Sequence, residues 1–153
     1  MQQLYPAITA SASELLDVGG GHHVYVEHCG AEDGIPVIFL HGGPGSGCKA
    51  DHRQFFDPKR YRIFLFDQRG CGRSTPYGGV DNNTTELLIE DIEQIRSKYG
   101  VDKWLLFGGS WGATLALAYA QACPHRVSGM VLRGRCCARH QDGRWCLGPV
   151  ATR

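Results

Sequence analysis

The stretch Trp104-Leu105-Leu106-Phe107-Gly108-Gly109-Ser110-Trp111-Gly112-Ala113 constrains this chain most. An apolar run of strand length stops at two glycines, and an Ala- and Leu-rich helical pattern from Ala113 to Cys123 begins immediately after, ending at Pro124. A chain that passes from strand to helix within so few residues must turn sharply. Residues without side chains before and after the turn let the two elements approach. Three further apolar runs, Pro36 to Leu40, Ile63 to Phe66 and Met130 to Leu132, have the same continuous character. They are expected as strands covered on both faces of a parallel sheet.

An antiparallel hairpin precedes them. Ser13 to Val18 and His22 to Cys29 flank Gly19-Gly20-Gly21, and Val24 and Val26 alternate with Tyr25 and Glu27. Six strands are counted in all. Between the fourth and fifth, Leu88, Ile92, Ile95 and Tyr99 recur at helical spacing, with Asn83 expected as the cap, Glu86 three residues on and Gly100 as terminator. Lys49 to Phe56 is a candidate short third helix. Hairpin followed by alternating strand and helix predicts an α/β fold with a mostly parallel sheet. At 153 residues and 42% hydrophobic content, one such domain has core enough to fold.

Charge names no partner, since 16 Lys and Arg face 15 Asp and Glu, and neither nucleic acid nor a membrane surface is expected. No apolar run is long enough to cross a bilayer. The start, Met1 to Pro6, has neither the basic nor the apolar part of a secretory signal, so a cytoplasmic protein with reduced cysteines is expected. Residues 135–153 break the pattern: four Arg stand against one Asp, Cys136, Cys137 and Cys146 crowd together, and no period of 2 or 3.6 appears. This Arg- and Cys-rich tail is expected to be disordered, set apart from a core over residues 1–134. Zinc at Cys136, Cys137, His140 and Cys146 is the weaker alternative, because adjacent cysteines seldom close one tetrahedral site.

In open α/β sheets ligands bind beyond the carboxyl ends of the strands, so the junctions after the apolar runs carry the chemistry. Gly108 to Gly112 is G-x-S-x-G in the strand-to-helix context of a nucleophile elbow, which makes Ser110 the candidate nucleophile. After Leu40 comes His41-Gly42-Gly43-Pro44-Gly45-Ser46-Gly47, a loop bare enough for backbone N–H groups to approach an oxyanion. Gly43 and Trp111 are the candidate oxyanion-hole donors, and His41 is expected to stabilise the loop rather than act as base. Gly42 and Gly47 have the spacing of a phosphate-binding loop. Cys48 and Lys49 stand where that motif needs Lys and Ser or Thr, and the phosphate reading fails. In the third junction, Asp67 to Ser74, Asp and Arg are expected to pair and fix the loop, with Cys71 a bystander.

HGGPG at 41–45, DQRGCGRS at 67–74, NTT at 83–85 and GGSWG at 108–112, in this order, resemble the proline iminopeptidases (prolyl aminopeptidases) of the α/β-hydrolase superfamily. The resemblance covers about residues 1–134. It implies the N-terminal part of an α/β-hydrolase fold and a cytosolic serine peptidase that releases N-terminal proline from peptides with no cofactor and no metal. It assigns Ser110 as nucleophile and Gly43 and Trp111 as oxyanion donors. The family order is Ser, Asp, His, with a helical cap between. Here only His125 and His140 follow Ser110, the sole acid after them is Asp142, and neither the triad Asp nor the triad His can be identified. A chain truncated after about residue 134 is therefore expected to lack activity and to self-associate through its uncovered sheet edge. Two alternatives stay open: another esterase or amidase of this fold, and a non-catalytic remnant or interaction protein.

Overall fold

The computed structural model describes residues 3–134. The Arg- and Cys-rich stretch, with its cysteines and His140, lies outside the described residues. The strands are β1 (Ala12–Gly19), β2 (His22–Gly30), β3 (Ile35–Leu40), β4 (Tyr61–Phe66), β5 (Trp104–Gly109) and β6 (Val127–Arg133). They form one six-stranded sheet in the order β1-β2-β4-β3-β5-β6. β1 pairs antiparallel with β2, and β2 antiparallel with β4. The pairs β4 with β3, β3 with β5 and β5 with β6 are parallel.

The continuous apolar runs are explained by cover on both faces. Ile63, Phe64, Leu65 and Phe66 are fully buried, as are Val37, Ile38 and Leu40. On one face α1 (Thr85–Lys98) sends Leu88, Ile92 and Ile95, and α2 (Trp111–Ala122) sends Leu115 and Tyr119, onto Ile38, Leu40, Phe64, Phe66 and Trp104. On the other, Val37, Phe39, Ile63 and Leu65 meet Phe55 and Phe56. Lys49 to Phe56 is mostly a 3₁₀ turn over Ala50–Phe55, not an α-helix. β6 departs from its three siblings: Met130 and Val131 are 42% and 44% exposed, because only β5 pairs with it among the described residues.

The cap of α1 is Thr84, not Asn83. Thr84 Oγ1 accepts the Leu87 N–H at 3.3 Å, while the Asn83 side chain donates to the carbonyls of Arg69 and Gly79, both at 3.0 Å. Gly100 terminates the helix with φ +65°.

Candidate active site

β4, β3 and β5 lie side by side, so the junctions following them meet at one edge of the sheet. Ser110 stands exposed between β5 and α2 with φ +54° and ψ −120°, a conformation that a side chain rarely adopts. The flanking glycines make it attainable. A Cβ at Gly112 would lie 1.9 Å from the Leu40 carbonyl oxygen, and one at Gly108 would lie 2.3 Å from the Gly112 carbonyl oxygen. The Ser110 N–H donates to the Arg133 carbonyl at 2.9 Å, which ties the turn to the end of β6.

The glycine loop after β3 packs against this turn, since a Cβ at Gly42 would meet the Ser110 Cβ at 3.2 Å. Gly43 has φ +119°, and a Cβ there would sit 2.5 Å from the Gly45 nitrogen. Neither the Gly43 nor the Trp111 backbone N–H has a hydrogen-bond acceptor among the described residues. His41 is 1% exposed, with Nδ1 2.9 Å from the Gly42 carbonyl oxygen and Nε2 3.0 Å from the Gln68 nitrogen. Both ring nitrogens are engaged in holding the loop. Burial pushes its pKa below the usual imidazole value, against the opposing pull of the Gly42 carbonyl and Asp67.

The loop after β4 clamps the far end of the glycine loop. Asp67 accepts the Cys48 N–H at 2.6 Å, the Arg73 N–H at 2.9 Å and Arg73 Nε at 2.9 Å. Burial raises the Asp67 pKa, but the Arg73 and Cys48 hydrogen bonds outweigh it and hold the carboxyl below its usual range. Arg69, in contrast, leaves Asp67 and reaches α1, donating to both oxygens of buried Asp91 at 2.7 Å. Cys71 is buried, and its thiol pKa is raised by burial, the opposite of an activated thiolate.

A cavity of about 360 Å³ opens beside Ser110, lined by Phe39, Gly42, His52, Phe55, Phe107 and Arg133 among others. His52 is the residue that sequence reading missed. It stacks on Phe39 with ring centroids 4.5 Å apart, and its Nδ1 accepts the Lys49 N–H at 3.0 Å. The neutral ring therefore carries its proton on Nε2 and presents a donor there, not the acceptor a serine hydroxyl needs. His125 lies in the 3₁₀ turn before β6. β5 and β6 run parallel, so His125 is at the opposite end of the sheet from Ser110, a helix length of about 18 Å away.

A sharp strand-to-helix turn carrying an exposed serine, under a glycine loop on a mostly parallel sheet, defines the class. The chain belongs to the α/β hydrolase fold family, which it matches over residues 35–148. Within that class it is similar to curated proline iminopeptidases. It is 53% identical over 133 residues to that of Neisseria gonorrhoeae, covering 87% of this chain and 43% of the relative. It is 48% identical over 153 residues to that of Xylella fastidiosa (strain Temecula1), covering 100% and 49%. That alignment and the family match both run past residue 134, where the resemblance was expected to stop. The solved proline iminopeptidase of Mycobacterium smegmatis superposes with a TM-score of 0.68 at 25% identity, covering 78% of this chain and 42% of that one. The chain spans about half the length of the curated relatives it matches. Among the described residues, no helix is long and apolar enough to cross a membrane and no group of three or more His, Cys, Asp or Glu could hold a metal ion.

Proposed function

We propose that the chain carries the nucleophile and oxyanion donors of a serine aminopeptidase that releases N-terminal proline from peptides. The observation that carries this reading is Ser110 at φ +54° between β5 and α2, exposed and packed against Gly42. In the reaction Ser110 Oγ bonds to the carbonyl carbon of the first residue, and the Ser110 proton passes to a base. The oxygen that gains charge is met by the Gly43 and Trp111 N–H groups. The amine then leaves with a proton, and water hydrolyses the resulting ester. Four free cysteines among the described residues support a reducing compartment, the cytoplasm.

Among the described residues, neither the histidines beside Ser110 nor the one that follows it in the chain offers it a proton acceptor. His41 is committed to its loop, His52 presents a donor and His125 is out of reach. Hydrolysis of a proline arylamide by this chain is therefore expected at the level of its Ser110→Ala variant. Turnover abolished by that substitution would show that a base is present and would overturn the assignment of inactivity.

A further inference from the structure

The Gly42–Gly43 peptide supplies one of the two proposed donors, and a peptide between glycines has little intrinsic resistance to flipping. Its direction must come from whatever holds its carbonyl. Gly42 O lies 2.9 Å from His41 Nδ1, and His41 Nε2 faces the main-chain N–H of Gln68 at 3.0 Å. A backbone N–H can only donate, so Nε2 is the acceptor and Nδ1 bears the proton it gives to Gly42 O. Carbonyl and N–H of a trans peptide point opposite ways. Pinning Gly42 O toward the His41 ring thus turns the Gly43 N–H away from it.

The same residue reaches the second donor. The Gln68 side chain is buried, its Nε2 donates to the His41 carbonyl at 3.0 Å, and its Oε1 accepts the Trp111 indole N–H at 3.0 Å. One amide thereby spans the entry to the glycine loop and the first residue of α2. We propose that Gln68 is a positioning residue that aligns the two oxyanion donors. Its main-chain N–H selects the His41 tautomer that latches the Gly42–Gly43 peptide, and its side chain ties that loop to Trp111. The inference rests on the reading of Gly43 and Trp111 as donors. Charge plays no part in it, so a leucine at 68 removes the tie without leaving a buried ion.

The test uses the ¹⁵N-labelled full chain and benzeneboronic acid. Ser110 Oγ adds to the trigonal boron and releases its proton to solvent, giving a tetrahedral anion whose oxygen seeks the two N–H groups. The backbone resonances of Gly43 and Trp111 are expected to move together on titration. Gln68→Leu, which removes both hydrogen bonds of that side chain, should keep a cooperative urea transition and bind about tenfold more weakly, the scale of one misaligned hydrogen bond to the boronate oxygen. Binding equal to the unsubstituted chain would overturn the tie. Ring ¹⁵N shifts of the unsubstituted chain test the latch whether or not the variant folds, with a proton on Nδ1 expected and one on Nε2 refuting it. No boronate binding beside a Nδ1-protonated ring would refute the donor reading and the role given to Gln68 with it.

Discussion

Replacing Gly112 by alanine is expected to damage this fold far more than the same change at Gly109, three residues away in the same glycine-rich turn. A Cβ at Gly112 would lie 1.9 Å from the Leu40 carbonyl oxygen, 2.6 Å from the Leu40 carbonyl carbon and 2.9 Å from the His41 carbonyl oxygen. Restoring even a 3.0 Å contact needs a separation of about 1 Å between α2 and β3. Neither can move freely. β3 is paired on both sides, by β4 and β5, and α2 holds fully buried Leu115 and Tyr119 against the sheet. Backbone-on-backbone overlap of this kind belongs at the top of the overpacking range, about 3 kcal/mol. With a urea slope of about 2 kcal/mol per molar, that is a midpoint lowered by about 1.5 M. A Cβ at Gly109 meets nothing within 4 Å, so Gly109→Ala should stay within about 0.5 kcal/mol of the parent. Urea unfolding followed by tryptophan fluorescence compares the three chains directly. Equal midpoints for Gly112→Ala and Gly109→Ala would refute the claim that close approach of β3 and α2 shapes the serine turn.

Asp91→Ala strands the Arg69 guanidinium, 1% exposed in its side chain, and should cost about 3–5 kcal/mol in urea unfolding; a loss under 1 kcal/mol would contradict the pairing. Thr84→Ala should cost about 1 kcal/mol through the lost α1 cap, seen as early fraying of the α1 amides in hydrogen exchange. The His41 pKa is depressed by burial, so its contribution to stability is present above its ordinary value of 6.5 and is lost as pH falls through the folded value. The urea midpoint should therefore drop between pH 7 and pH 5, and drop less in His41→Gln; equal drops would contradict this. Self-association through the edge of β6, which has no second partner strand among the described residues, should appear as light scattering that rises with protein concentration, and a monodisperse monomer would count against it.

The elements nearest the site were legible because burial on both faces leaves a local mark. Ile63 to Phe66 and Val37 to Leu40 are unbroken apolar runs, and the turn at Ser110 is announced by the glycines it cannot do without. What local spacing could not show is which partner a polar residue chooses across the fold. Asn83 looks like a cap, yet its amide is claimed by the carbonyls of Arg69 and Gly79, and its neighbour Thr84 does the capping. Arg69 sits two residues from Asp67 but turns to Asp91, leaving Asp67 to Arg73. His52 precedes the candidate nucleophile by many residues and enters its cavity only through the 3₁₀ turn after the glycine loop. The one sequence sign of it is the cluster His52, Phe55 and Phe56 following that loop.

Residues 3–134 are proposed to carry the nucleophile Ser110 and the oxyanion donors Gly43 and Trp111, to which a base and a substrate pocket must be added. Joining residues 1–134 to the part of the Xylella fastidiosa (strain Temecula1) proline iminopeptidase that follows the position aligned with residue 134, a relative 48% identical over 153 residues, tests this most directly. The chimera should release the amine from a proline arylamide, and Ser110→Ala should lower kcat by at least about a thousandfold. A folded chimera, verified by circular dichroism and a cooperative urea transition, that shows no turnover, or turnover indifferent to Ser110→Ala, would contradict the account.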